Sequence, residues 1–281
     1  MLAFTERLVE LLRSGQSFML ATVVKQEGSS PRDVGARMAV LTDGSIVGTI
    51  GGGAVEHRVM QLASDVLASG KPQTLEFNLG KDLSMACGGG VWVLLEPIRP
   101  PDRAVLLGAG HISQHLCDML ARIGLEVWVL DSRKGFAVEE RFPAARRLVE
   151  RLSPKFVVED AALTESDRRL YVVCVTNSHA LDRKLVEQVL PMEHVDYVGM
   201  VGSRNKAKTT RKYLADQGMA KSLIDRLKSP LGLPLGGGTP GEIALSIAAD
   251  IQTHRRGAAD LFSGQDPTAN HDKVNHAEER R

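Results

Sequence analysis

The residues in this chain whose type and spacing could do chemistry are one loop cysteine and three runs of glycine. Gly51, Gly52 and Gly53 stand in "TIGGGAVE", Gly88 and Gly89 follow Cys87 in "ACGGGVW", and Gly236 to Gly238 precede Thr239 in "PLGGGTPGEIA". Serial glycine costs conformational entropy and adds no side chain to a core. Its successive N–H groups can instead converge on one anion. Two of the runs lead into helix starts. Glu56 falls in the first turn of one, where the helix dipole favours an acid, and Thr239-Pro240-Gly241-Glu242 reads as a capping box in the other. Each run therefore has a conservative reading, a well-started helix, beside a functional one, a cradle for an anion. Room for a ligand is the added reading at Gly237. Upstream, "EGSSPRDVGARM" adds Ser30 and Arg32, side chains suited to a phosphate or an oxyanion. Cys87 lies in a loop. Exposed beside an arginine or a helix N-terminus, its thiolate would serve as a metal ligand or a sulfur carrier; the alternative is a small residue in a turn. Cys117, in a helical stretch, and Cys174, in a strand, read as buried and inert.

A second group of candidates belongs to a nucleotide site. "AVLLGAGHISQHL" places Gly108 and Gly110 between a strand and a helix, with Ser113 at the third position of the dinucleotide pattern. "LEVWVLD" ends in Asp131, 21 residues beyond Gly110, where an acid can bind a ribose hydroxyl. His111 is expected at the helix start facing the ligand. His115, one turn on, reads as a surface or packing residue. "CVTNSHALD" offers Thr176, His179 and Asp182, and "GMVGSRNKAK" offers Ser203, Arg204 and Lys206, donors suited to an anion. Ser178 and Ser203 read equally as N-caps, and both roles can hold together. His179 with Asp182 is the best acid–base candidate, although nothing is poised for hydride chemistry.

These residues need elements to position them. Phe4, Leu8, Leu11 and Leu12 make a helical stripe ended by Gly15; "FMLATVV" reads as a buried strand; "RMAVLTDGSIVGTI" reads as a hairpin around Asp43-Gly44. A helix over about 54–69 stops at Gly70, and "QTLEFNL" and "VWVLLEP" read as strands. Pro97, Pro100 and Pro101 then interrupt both helix and sheet. Beyond them, short continuously apolar strands alternate with helices, the mark of a parallel sheet covered on both faces. The fold expected is α/β: a small N-terminal α+β domain over 1–98, then a Rossmann-like parallel-sheet domain over 102–253. The polar stretch 254–281 is expected to be a disordered tail.

Composition bounds the function. The chain has 281 residues, 43% apolar and 25% charged, with a formal net charge of +1. That balance points to neither nucleic acid nor a membrane surface, and 4% aromatics argue against a base-stacking platform. No apolar run approaches membrane-spanning length, and the start reads as an amphipathic helix, not a secretory signal. Three cysteines without a C-x-x-C pair fit a reducing cytoplasm better than a disulfide framework or a structural zinc site.

Taken together, "GSSPRDVGARM", "GTIGGGAVE" and "ACGGG" in the first half, with "LLGAGHIS", "TNSHALD", "YVGMVGSRNK" and "SPLGLPLGGGTPGEIALSI" in the second, resemble the XdhC/CoxI family over roughly residues 5 to 252. The chain departs from the family's pattern at Ala54, Ser113, Lys228 and Gly241. The resemblance implies an accessory protein that binds molybdenum cofactor (molybdopterin), protects it, supports its sulfuration with a cysteine desulfurase and delivers it to apo-xanthine dehydrogenase. It implies a maturation factor rather than an enzyme, acting as a homodimer. The cofactor is an anionic, phosphate-bearing pterin that is labile in water. A carrier for it needs many backbone donors, little side-chain bulk and one soft ligand for the metal, the role that falls to Cys87. NAD(P) or another nucleotide is expected in the Rossmann domain. Two alternatives stay open: an NAD(P)-dependent oxidoreductase resting on Gly108, Gly110 and Asp131, and a nucleotide-sensing interaction protein.

Overall fold

The structure is a computed structural model that describes residues 2–28, 33–78, 89–160, 163 and 168–257. The chain packs as two compact units, Met1–Pro100 and Pro101–Arg281.

The first unit runs α1 (Leu2–Arg13), β1 (Phe18–Glu27), β2 (Arg37–Leu41), β3 (Ile46–Thr49), α2 (Gly53–Ser69), β4 (Gln73–Asn78) and β5 (Gly90–Ile98). Its strands form one sheet in the order β3-β2-β1-β5-β4, with every neighbour antiparallel. Strand alternation decides which helix covers which face. Met19, Ala21 and Val23 of β1 share a core with Val55, Val59 and Val66 of α2, while Phe18 meets Leu11 of α1 on the opposite side. Val59 and Val66 are fully buried, and each such side chain contributes about 1.5–3 kcal/mol relative to exposure. α2 ends at Gly70, whose left-handed backbone (φ 64) returns its N–H to the Val66 carbonyl. The expected strand "VWVLLEP" lies within β5, and the strand ends one residue beyond Pro97. Pro97 pairs with Met19 inside β5, because β4 reaches only Leu95 and leaves Pro97 a neighbour on one side alone.

The second unit runs β6 (Arg103–Leu107), α3 (His111–Arg122), β7 (Glu126–Leu130), β8 (Arg147–Val149), α4 (Pro154–Glu159), β9 (Leu170–Cys174), α5 (His179–Val189), β10 (Val195–Met200), α6 (Arg204–Asp216), α7 (Lys221–Ile224), β11 (Leu227–Lys228) and α8 (Pro240–Arg255). The strands of its sheet all run parallel, in the order β11-β10-β9-β6-β7-β8. Counted from β6, this is the 3-2-1-4-5-6 order of dinucleotide-binding sheets, and the strand order reverses between β6 and β9. Both of those strands are buried along their whole length, as apolar cores on the two faces require. α3 and α8 pack together on one face through Leu116, Leu120, Ala244, Ile247 and Ile251. The mixed α/β architecture is the one expected. The edge strands β8 and β11 are not legible in the sequence, being three and two residues long. α8 extends to Arg255, and the expected tail from residue 258 onward lies outside the described residues.

Candidate functional site

The switch between β6 and β9 builds a crevice from strand ends. Gly108 leaves β6 with φ 119, and a Cβ there would stand 2.6 Å from the Val175 carbonyl oxygen just beyond β9. Only glycine lets the two strand ends approach this closely. The Ser113 hydroxyl donates to the Gly108 carbonyl at 2.6 Å and is fully buried. Ser113 therefore closes the strand–helix turn with a hydrogen bond where the usual pattern has glycine. At Gly110, by contrast, a Cβ would meet nothing within 4 Å, because the residue borders open space.

That space is a cavity of about 690 Å³. Gly110, His111 and Ile112 line it from the start of α3, Arg133, Gly135, Phe136 and Arg141 from the segment after β7, and Val175, Thr176 and Asn177 from the segment after β9. Among the described residues, no aspartate or glutamate lines it. α4, α5, α6 and α8 have Ser153, Ser178, Ser203 and Thr239 as side-chain caps, whereas α3, which opens on the cavity, has none. The first-turn amides of α3 face the cavity without a side chain of their own helix answering them.

Asp131 reaches the turn but not the cavity lining. It is 4% exposed. Its Oδ2 accepts from the Ala109 amide at 2.7 Å and from Arg133 at 2.7 Å; its Oδ1 accepts from the Arg133 amide at 2.9 Å and Nε at 3.0 Å. Burial opposes its charge, but the Arg133 side chain and the two amides outweigh it and hold the carboxyl below the ordinary aspartate range. Arg133 and Arg141, which sequence reading did not single out, both lie on the Phe136 ring, 3.7 and 4.6 Å from its centroid. The signal available was "DSRKGF", an arginine two residues past the strand-ending acid.

His179 and Ser203 line a different cavity, of about 380 Å³, with Arg183, Asn205, Lys206, Thr209 and Thr210; Arg204 is exposed at the start of α6 and is not among the lining residues. His179 with Asp182, the best acid–base candidate in the sequence, has its acid engaged elsewhere. Asp182 is fully buried and accepts from Lys206 Nζ at 2.7 Å and the Thr176 amide at 3.2 Å, so a neighbouring cation has claimed it. Ser178 and Ser203 are N-caps, accepting from the amides of Leu181 and Lys206.

Two of the three glycine runs, at 51–53 and 236–238, have amides answered by a glutamate of the chain. Glu56 Oε1 accepts from the amides of Ile50 at 3.0 Å and Gly52 at 2.8 Å and from the Thr49 hydroxyl at 2.5 Å. Burial opposes its charge, but Thr49 and the amides of Gly52, Ile50 and Gly51 outweigh it and hold its carboxyl below the usual value. The Ile50 and Gly52 amides bind Glu56 here, so an anion reaching them displaces it. A Cβ at Gly52 or Gly53 would meet nothing within 4 Å. The other run behaves alike: Glu242 Oε2 accepts from the Gly238 and Thr239 amides, completing the capping box, and a Cβ at Gly237 would collide with the Glu242 side chain. Ser30, Arg32, Cys87 and Gly88 lie outside the described residues. Their flanks do not. Glu27 pairs with Gly90, Arg37 with Thr22 and Thr49, and Asn78 with Gly90. The strand ends before Gly28, after Gly89 and before Gly51 therefore share one end of the five-stranded sheet. A Cβ on Gly28 would stand 3.2 Å from the Gly89 Cα, so these two backbones abut. Cys117 and Cys174 are buried; burial pushes the Cys117 thiol up to about 12 and the Cys174 thiol well above its usual value. Among the described residues, no cluster of three or more His, Cys, Asp or Glu could hold a metal ion, and no helix is long and apolar enough to cross a membrane.

Residues 104–251 match the XdhC Rossmann domain, and residues 11–78 match the XdhC and CoxI family. The chain belongs to the XdhC family. Three relatives of this XdhC chain carry names. "Uncharacterized protein YqeB" of Escherichia coli (strain K12) is 34% identical over 257 residues, covering 88% of this chain and 45% of YqeB. This chain thus spans about half of that relative's length. A probable xanthine dehydrogenase subunit of Bacillus subtilis (strain 168) is 24% identical, over 90% of this chain and 98% of that one. "Molybdenum cofactor insertion chaperone PaoD" of E. coli (strain K12) is 25% identical, over 88% and 86%.

Proposed function

We propose that this XdhC-family protein carries molybdenum cofactor as cargo and hands it to an apo-enzyme of the xanthine dehydrogenase class, as an insertion chaperone rather than a catalyst. The observation that carries this reading is the convergence of strand ends in the first unit. The described strand ends before Gly28, before Gly51 and after Gly89 share one end of one antiparallel sheet, and in the sequence they flank the stretches that carry Ser30 and Arg32, Gly51 to Gly53, and Cys87 to Gly89. The family membership and the PaoD relative support it. Backbone donors and arginine suit the cofactor's phosphate, and the Cys87 thiolate is the soft ligand for molybdenum or the transferred sulfur. Sulfuration by a cysteine desulfurase and a dimeric carrier complete the reading.

The test is molybdenum per folded protein after purification from a molybdenum-replete host, with activation of apo-xanthine dehydrogenase as the second readout. Cys87→Ser is nearly isosteric and is expected to fold while losing most of the bound metal. Cys117→Ser and Cys174→Ser place a hydroxyl in the core and cost about 1–3 kcal/mol of stability, but spare metal retention in the folded fraction. Wild-type retention and activation by Cys87→Ser would make Cys87 a turn residue.

A further inference from the structure

In a sheet of 3-2-1-4-5-6 order, a dinucleotide lays its diphosphate at the first βα turn, and the residue ending the second strand reads the adenosine ribose. Asp131 holds that position here, directly after β7. A carboxylate that reads a free 2′-hydroxyl needs an open lone pair directed at the ligand. Ionised, it offers about four acceptor sites, and four donors already fill them: the Ala109 amide, the Arg133 amide, and two nitrogens of the Arg133 guanidinium. Asp131 is buried and does not line the cavity.

Arg133 is what the ribose would meet. Its side chain is 34% exposed and lines the cavity. Asp131 engages two of its five N–H donors, which leaves a fixed fork pointing away from the acid. The Phe136 ring supports its face at 3.7 Å. Arg141 adds a second guanidinium on the same ring and is itself anchored to the Phe136 carbonyl at 3.1 Å. The Glu150 carboxylate accepts from the Gly135 amide and pins the loop between them from outside the lining. Two cations, uncapped amides and His111 therefore face one cavity, with no carboxylate among the described residues of its wall. A diphosphate at the first-turn amides of α3 leaves the Arg133 N–H donors that Asp131 does not engage, and the Arg141 guanidinium beside them, free to bind a further phosphate on the ribose.

We infer that this crevice selects a nucleotide bearing a phosphate monoester on its ribose, of the NADP and adenosine 2′,5′-bisphosphate class, over the same nucleotide with a free 2′-hydroxyl. Arg133 is the specificity-determining residue and Arg141 its partner. Asp131 acts through Arg133, as the group that orients the fork. This goes beyond cargo carriage and does not depend on it, since it concerns only the second unit.

The experiment is calorimetric titration of the full chain with NADP+, NAD+, adenosine 2′,5′-bisphosphate, 5′-AMP and inorganic phosphate. NADP+ is expected to bind at least about tenfold tighter than NAD+, and the bisphosphate at least about tenfold tighter than 5′-AMP, with inorganic phosphate weaker than both NADP+ and the bisphosphate. Arg133→Ala removes most of the preference, by weakening NADP+ and by freeing acceptor sites on Asp131 for a ribose hydroxyl. Arg133→Lys keeps a charge without the fork and falls between. Cys87→Ser leaves all five affinities unchanged, so the outcome is separable from that of cargo carriage. Equal affinity for NADP+ and NAD+ in the wild-type chain, no binding of either, phosphate binding as tightly as the bisphosphate, or an unchanged preference in folded Arg133→Ala would each overturn the proposal.

Discussion

Carboxylates set into glycine loops decide what those loops can still bind. Glu56, Glu242 and Asp131 each accept backbone amides of a glycine-bearing turn, and only Glu242 was legible as such in the sequence, through its capping-box spacing. The positions of Glu56 and Asp131 were legible, but the donors they would engage were not. Glu56 yields a residue-scale prediction. Glu56→Ala leaves the Ile50 and Gly52 amides without their acceptor and is expected to cost about 1–2 kcal/mol at neutral pH, the scale of a lost helix cap, measured by urea unfolding. Because its folded-state pKa lies below its ordinary value of 4.5, its contribution is complete above that value. It is lost as pH falls through the lower folded-state pKa. The variant should therefore show a flatter loss of stability across that acid window than the wild type.

At the scale of elements, the β6–α3 turn separates two glycines that look equivalent in sequence. Gly108 has a left-handed backbone and lies against the backbone beyond β9, while Gly110 has φ −80 and faces open space. Gly108→Ala is expected to destabilise the fold by about 2–4 kcal/mol, combining backbone strain with overpacking. Gly110→Ala should change stability by less than about 1 kcal/mol, since alanine at this helix-capping position adopts the same backbone without a clash. Thermal unfolding of the two variants side by side checks this; equal losses would mean that the β6 and β9 ends do not approach as described. The long helices and apolar strands of this unit were readable because continuous burial leaves a continuous apolar run. The segment after β7, carrying Arg133, Phe136 and Arg141, has no periodicity to read, since it is held by side-chain and ring contacts rather than by a ladder.

At the scale of the molecule, each unit has its own hydrophobic cores. In the second, both faces of the parallel sheet are covered by helices of the same unit. A fragment of residues 101–281 is therefore expected to fold alone, with a cooperative melt by circular dichroism and the nucleotide preference of the full chain. A broad, non-cooperative melt would show that this unit borrows stability from the first. The strand-order reversal that creates the crevice is a property of this scale as well: β9 lies beside β6 although β7 and β8 intervene in the chain.

The sequence by itself determined the fold class, the alternation of elements, the helix starts and the glycine positions, because burial periodicity, capping residues and backbone freedom are local properties written in consecutive residues. Tertiary structure decided which donors and acceptors remain open. It gave Asp131 to Arg133, Asp182 to Lys206 and the glycine amides to Glu56, and it left α3 uncapped over a cavity lined by two arginines. Hydrogen bonds saturate: an acceptor filled by a neighbour brought close through folding is closed to a ligand. The residue type that marks a site in the sequence is therefore not always the one that faces the ligand in the fold.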